Sequence, residues 1–111
     1  SGLPAPLRMD DPGNIARAHL LRARLGLPGG QLVANPIPAA HEIPRSMIDP
    51  LIEQALQEAS QRGIAAKAVT PFLLDRIFDL TAGQSLIANI ELVLNNARLA
   101  AAIATAMTAE G

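Results

Sequence analysis

A short apolar run, the only one of its kind in the sequence, limits the folds that this chain can adopt. Residues 31–35 read Gln-Leu-Val-Ala-Asn and lie between Gly30 and the prolines Pro36 and Pro38. An apolar run of this length between breakers is typical of a buried strand. A lone buried strand leaves backbone N–H and C=O groups without partners, and the sequence holds no second strong strand. We therefore expect this strand to join a sheet that residues outside this chain complete.

The rest of the chain predicts helices. Asp11-Pro12 is a good helix start, because the carboxylate accepts from free N–H groups and proline fits the first turn. Ser46 and Asp49 suggest a capping box for a second helix, although Asp49-Pro50 is an alternative start. The predicted elements are a loop over 1–10, helices over 11–26, 46–63, 70–82 and 85–109, and the strand over 31–35.

The composition limits the size of the core. A chain of 111 residues forms at most one domain, and 50% hydrophobic with 17% charged residues excludes a disordered tail. The aromatic residues are Phe72 and Phe78, while alanine is abundant. Small side chains bury little area each, so a core made from this chain alone is thin. We expect the chain to depend on a partner.

Charge and cysteine content exclude several classes of function. Nine basic residues against ten acidic ones give a net charge of −1, which excludes the electrostatic footprint of a nucleic-acid-binding protein. The absence of cysteine excludes disulfides, thiolate metal sites and cysteine nucleophiles. The start of the chain has no signal-peptide pattern, and no apolar run approaches the roughly 18–20 residues that span a bilayer. These observations predict a cytoplasmic protein without a membrane partner.

Polar residues fall on two sides of the last predicted helix. At about 100° per residue, Glu91 and Asn95 lie on one side and predict an ordinary solvated face. Ser85, Asn89 and Asn96 lie nearly opposite, among apolar residues. A helix with two polar stripes packs on several sides, so the second stripe faces either a polar pocket or a structural hydrogen-bond network. An asparagine amide, which donates and accepts, suits a planar imide such as a uracil edge and equally suits a backbone.

The remaining candidates do not form a catalytic set. Asn35 ends the predicted strand, where ligands of open α/β sheets bind, although the residue can instead cap the turn at Pro36. His19 and His41 lack the spacing of a metal signature. Lys67, the one lysine, is expected in a solvated connector rather than as a Schiff-base nucleophile. Two further carboxylates, Asp75 and Asp79, are expected on a solvated helix face.

Five motifs occur in order along the chain. Together they resemble the C-terminal part of the pseudouridine-5′-phosphate glycosidase family, which is indigoidine synthase A-like. The opening Ser1-Gly2-Leu3-Pro4 and Arg8-Met9-Asp10 are also similar to that family. The motifs are Val33-Ala34-Asn35-Pro36-Ile37-Pro38, Thr70-Pro71-Phe72-Leu73-Leu74, Leu80-Thr81-Ala82-Gly83, Ser85-Leu86 with Asn89-Ile90, and Asn95-Asn96-Ala97-Arg98.

The resemblance implies a fold and a reaction. The fold is α/β: an α/β/α three-layer architecture, of which this chain is the mostly helical C-terminal part, contributing one or few strands to a mixed sheet that the missing N-terminal part completes. The reaction is the reversible cleavage of the C–C glycosidic bond of pseudouridine 5′-phosphate, which with water gives uracil and ribose 5-phosphate. The family resemblance further implies a Mn²⁺ ion, a homotrimer, and the N-terminal part of the same enzyme as partner.

The resemblance also assigns site residues. Asn89 matches a family asparagine that contacts the uracil base, and Asn35 and Asn96 are the further substrate-binding candidates. The family's catalytic lysine, acid and metal ligand have no counterpart here, and Lys67 does not match that lysine. We therefore expect no catalytic or metal residue in this chain, and no activity from the chain alone.

Two other functions fit part of the sequence. A non-enzymatic helical interaction module or subunit explains the amphipathic helices but leaves the ordered motifs unexplained. An enzyme of another sugar-phosphate class on the same scaffold is the third possibility, because a fold does not fix a function. A comparison of the turnover of pseudouridine 5′-phosphate with that of other ribosyl phosphates would distinguish this third possibility from the glycosidase.

Overall fold

In the computed structural model, which describes residues 4–110, the chain is helical throughout its regular structure. The helices are α1 (Pro12–Arg24), α2 (Arg45–Gln61), α3 (Val69–Leu80) and α4 (Gln84–Glu110), with 3₁₀ turns at Ala39–His41 and Ala66–Ala68. The backbone forms two compact units. One holds the residues up to Pro36 together with those from Leu92 onward, and the other is Ile37–Glu91.

Helix α1 begins at the capping signal that the sequence contains. The Asp11 carboxylate accepts a hydrogen bond of 2.8 Å from the backbone N–H of Gly13, and Pro12 occupies the first turn. The Asp11 carboxylate accepts from one of the free N–H groups of the helix start, and Pro12 has no N–H group that needs an acceptor. The helix ends at Arg24, two residues before the predicted 26, because Gly26 adopts a φ of 66° and closes the last turn.

Helix α2 begins differently from the prediction. Its N-cap is Pro44, which makes no side-chain cap, so the capping box at Ser46 and Asp49 is wrong. Asp49 instead accepts from Arg45 at 2.8 Å, one turn earlier. Pro50 lies inside the helix, and Asp49-Pro50 is therefore not its start either. The end is a Schellman turn, in which the Ile64 N–H donates to Ala59 O at 2.9 Å.

A buried threonine joins α3 to α4. The Thr81 hydroxyl donates to Ile77 O at 2.7 Å and accepts from the Ser85 N–H at 3.1 Å. It thereby serves the C-terminus of α3 and the N-terminus of α4 together. Ala82 follows with a φ of 50°, in the left-handed region that favours glycine, and Gly83 follows with a φ of 85°. Helix α3 was predicted over 70–82 and is observed at Val69–Leu80, and α4 was predicted over 85–109 and is observed at Gln84–Glu110.

Residues 31–35 form no strand in the described part of the chain, contrary to the sequence prediction. A strand requires hydrogen bonds to a neighbouring strand, and residues 4–110 contain no other strand that could supply them. The side chain of Leu32 is 94% exposed and Val33 is also exposed. The apolar run is thus exposed and could pair with strands from residues outside the described part of this chain.

The core within the described residues is small and rich in alanine. It comprises Ile15, Ala16, Ala55, Ala59 and Ala88. Many large hydrophobic side chains remain exposed, because α-helices with alanine at their contacts bury little area. On α4 the exposed ones are Leu86, Ile87, Ile90, Val93 and Leu94.

Helix α4 extends one residue beyond the predicted 85–109 at each end and is apolar over much of its length. An 18-residue window within its span Gln84–Ala109 has a mean hydropathy of 1.3 and is 6% buried, so by length and composition alone the helix could cross a membrane. The expectation that no uninterrupted apolar run of this length occurs is unaffected, because polar residues interrupt α4. That expectation counted only uninterrupted apolar runs, whereas alanines between the polar residues raise the mean. A core helix of a larger soluble protein meets the same criterion.

Candidate functional site

Asparagines from two distant parts of the chain meet in the first unit. The Asn35 side chain donates from Nδ2 to Oδ1 of Asn96 at 3.2 Å. The neighbouring Asn95 donates from its Nδ2 to the carbonyl oxygen of Pro36 at 3.1 Å. Two adjacent residues of α4 thus bind the last residue of the predicted strand, Asn35, and the residue that follows it, Pro36. We call these four residues, Asn35, Pro36, Asn95 and Asn96, the asparagine clamp.

The clamp leaves polar groups available for a ligand. Asn35 and Asn95 are half-buried, and Asn96 is exposed. The bond between the two amides uses Nδ2 of Asn35 and Oδ1 of Asn96, which leaves an acceptor, Asn35 Oδ1, and a donor, Asn96 Nδ2, outside that bond. An acceptor and a donor are the two kinds of group that one edge of a planar amide or imide requires. The structure therefore brings together two of the three predicted site residues.

Asn89 lies on α4 in the second unit. Its side chain is exposed, and no hydrogen bond joins it to another described residue. The adjacent Ala88 is buried and Ser85 is half-buried, so the stripe predicted from the helical angles is only partly covered. Within the residues described, Asn89 is accessible to a ligand but is not enclosed in a pocket.

The helix face that the sequence pattern assigns to solvent holds loop residues instead. Asn95 belongs to the clamp, and Glu91 lies 3.8 Å from His41, measured from Oε2 to Nε2. Glu91 and Asn95 are both half-buried. Sequence reasoning missed these roles, although the doublet Asn95-Asn96 was a usable signal. Asparagine has low helix propensity, so two in succession inside a long helix indicate a tertiary role.

A second polar cluster stabilises the packing of α2 on α3. Arg76 donates to both carboxylate oxygens of Glu58, at 2.6 Å and 3.1 Å. This hydrogen bond from Arg76, helped by one from Gln54, lowers the pKa of Glu58 below its ordinary value of 4.5. The guanidinium carbon of Arg62 lies 5.5 Å from the centroid of the Phe72 ring, within cation–π range. These contacts are structural.

The other sequence candidates remain apart. His19 is exposed on α1 and Lys67 is exposed in a 3₁₀ turn. Asp75 and Asp79 are exposed on α3, where they line an open cleft with Arg76. Nothing in residues 4–110 groups three or more His, Asp or Glu side chains that could hold a metal ion. The described residues therefore do not fit a Mn²⁺ site.

Comparison with known proteins identifies extensive similarity. The family described as "Indigoidine synthase A like protein" matches residues 1–106, which confirms the resemblance drawn from the motifs. A pseudouridine-5′-phosphate glycosidase of Jannaschia sp. (strain CCS1) is 67% identical over 108 residues, covering 97% of this chain and 36% of that protein. A protein of the same name from Paracoccus denitrificans (strain Pd 1222) is 70% identical over 107 residues, covering 96% and 35%.

A solved structure is similar to nearly the whole of this chain. The prealnumycin C-glycosynthase AlnA, in complex with ribulose 5-phosphate, superposes with a TM-score of 0.85 at 29% identity. The match covers 98% of this chain and 36% of that one. The chain thus spans about a third of the length of the relatives it matches, and its mostly helical architecture is that of a C-terminal part of a larger fold.

Proposed function

Because this chain belongs to the indigoidine synthase A-like family, we propose that it is the C-terminal portion of a pseudouridine-5′-phosphate glycosidase. The reaction is the reversible cleavage of the C–C glycosidic bond of pseudouridine 5′-phosphate by water, giving uracil and ribose 5-phosphate. The observation that carries the proposal is the identity of 67–70% to two relatives of that name over nearly all of this chain. The ribulose 5-phosphate in complex with AlnA supports a sugar phosphate as the substrate class.

The chain alone is expected to be inactive. The described residues gather no catalytic set, and Lys67 stands in an exposed turn. We expect the catalytic lysine, the acid and the Mn²⁺ ligand in the part of the polypeptide that these 111 residues do not include. That part also supplies the sheet for residues 31–35 and covers the apolar side chains of α4. A homotrimer and a cytoplasmic location remain part of this proposal.

Within this enzyme, Asn89 is assigned to the uracil base. Its exposure on α4 leaves the amide free to donate and accept. When the C–C bond breaks, negative charge develops on the leaving base, and an amide N–H aimed at a base oxygen stabilises that charge. Asn35 and Asn96 are further substrate contacts, through the acceptor and donor that their mutual bond leaves available.

A chimera tests the proposal directly. These 111 residues replace the C-terminal 35% of the Paracoccus denitrificans relative, and uracil release from pseudouridine 5′-phosphate is followed by chromatography. We expect the chimera to be active and the isolated chain to be inactive. The unmodified relative is the matched control. A folded chimera without activity, or activity from the isolated chain, would refute the proposal.

The non-enzymatic interaction module is not favoured, because relatives that match 96–97% of this chain carry the name of an enzyme. Other ribosyl phosphates, supplied to the same chimera, test the third possibility. Faster turnover of one of them would assign the chain to a different sugar-phosphate reaction on the same scaffold.

A further inference from the structure

We propose that Asn95 is a positioning residue that orients Asn35 for substrate binding. The proposal rests on the function proposed above and adds a residue that the family resemblance did not assign to the site. Asn95 donates to Pro36 O at 3.1 Å, and Pro36 is covalently joined to Asn35. A residue that fixes the peptide carbonyl immediately after Asn35 fixes the backbone from which the Asn35 side chain projects.

The geometry of the clamp supplies two restraints of different kinds. The Asn35 side chain bonds to Asn96 at 3.2 Å, and Asn96 is itself exposed. An exposed partner alone is a weak restraint, because rotation of either amide breaks a single bond. Asn95 is half-buried and adds a second bond, to the backbone rather than to a side chain. Two anchors on adjacent residues define a direction, whereas one defines only a distance.

Proline makes the second anchor effective. The ring of Pro36 fixes its own φ and restricts Asn35, the residue before it, to extended conformations. Pro38 restricts Ile37 in the same way. Once the Pro36 carbonyl is held by Asn95, few backbone rotations remain that can move Asn35. Its Oδ1, which is not used in the bond to Asn96, is thereby presented in one direction.

The segment is restrained at this point more than before it. Leu32 is 94% exposed and its neighbours up to Ala34 are exposed, whereas Asn35 is half-buried. The clamp is therefore where the described structure fixes the segment. A positioning role fits this placement, because it controls the residue at the end of the predicted strand.

The test uses the active chimera with Asn95→Asp, which has nearly the same shape but replaces the donor with a carboxylate. We expect KM for pseudouridine 5′-phosphate to rise about threefold to tenfold, the size of one hydrogen bond, with kcat changed less. In the Asn35→Ala background the same substitution is expected to leave KM unchanged, because the residue through which it acts is absent. Thr105→Val is the matched control, since it removes an exposed hydroxyl from the same helix and is expected to leave KM unchanged.

The outcomes are decisive and separate the two proposals. Failure of the unsubstituted chimera to release uracil refutes the proposed function. An active chimera whose KM is unaffected by Asn95→Asp, or affected equally with and without Asn35, refutes the positioning role alone. Asn95→Ala and far-UV circular dichroism accompany the test. If both substitutions unfold the chimera, Asn95 is structural and the inference is overturned.

Discussion

Replacement of Thr81 by valine removes one hydroxyl group and preserves the shape of a buried side chain. The hydroxyl donates to Ile77 O at 2.7 Å and lies 3.3 Å from Phe78 O. It also accepts from the Ser85 N–H at 3.1 Å. The two carbonyls keep backbone donors after the substitution, from Thr81 N at 2.9 Å and from Gly83 N at 2.9 Å. The Ser85 N–H loses its acceptor.

The free-energy cost is therefore set by one amide rather than by three bonds. Ser85 is in the first turn of α4, where backbone N–H groups have no partner within the helix. Loss of a capping acceptor costs about 1 kcal/mol, and burial of an unpaired donor brings the cost towards about 2 kcal/mol. We expect Thr81→Val to lower the free energy of unfolding by about 1–2 kcal/mol. Thr81→Ser keeps the hydroxyl and loses one methyl group, which costs at most about 0.8 kcal/mol.

The assay combines chemical denaturation of the chimera with amide hydrogen exchange. Thr81→Val is expected to speed exchange at the Ser85 amide, and Thr81→Ser is expected to leave it slow. Thr105→Val is the matched control, because its exposed hydroxyl only donates, to Ala101 O at 2.9 Å, and its cost is expected within about 0.5 kcal/mol. Equal destabilisation by the two valine substitutions, with Ser85 exchange unchanged, would refute the reasoning.

Three further predictions concern the same chimera. Asn89→Ala is expected to lower kcat/KM for pseudouridine 5′-phosphate about tenfold or more with stability unchanged, since the side chain is exposed, and unchanged kinetics would remove its assigned role. The ion pair lowers the pKa of Glu58 below 4.5, so its contribution to stability is present above that pH and is lost as the pH falls through the lowered pKa. Arg76→Met should therefore destabilise most near neutral pH and least in acid, and a difference from the parent that does not depend on pH would contradict this. Ala82→Gly is expected to raise the free energy of unfolding by about 0.5–1 kcal/mol by relieving a φ of 50°, whereas Ala102→Gly inside α4 should lower it by about 1 kcal/mol, both measured by denaturation.

Short sequence motifs predicted structure correctly where the stabilising interactions join residues that are close in the sequence. Asp11-Pro12 was sufficient to place the start of α1, because a capping carboxylate and a proline act within a few residues. The start of α2 was not predictable in this way. Pro44 and Pro50 both suit a helix start, and in the structure Pro44 is the N-cap while Pro50 lies inside the helix.

Non-local contacts were beyond the reach of helical angles. The angular pattern separates Asn95 from Asn96 and assigns Asn95 to solvent, whereas the structure uses both in the clamp. The segment that they hold is about sixty residues earlier in the chain.

The strand over 31–35 is a different case. Its apolar pattern is that of residues buried in a sheet. The strand therefore stays a prediction for the larger fold.

The clamp has a consequence for chain entropy. Its amide pair closes a loop of 61 residues. Closing such a loop costs about 3.6 kcal/mol in a flexible chain, from the logarithmic dependence on loop length. Two neutral hydrogen bonds return about 2 kcal/mol in total. The clamp therefore cannot close by its own bonds, and it forms only after the surrounding packing has already brought the two segments together. Under mild denaturant it should be among the earliest contacts to open, so the order of the segment after the predicted strand reports how completely the rest of its unit is folded.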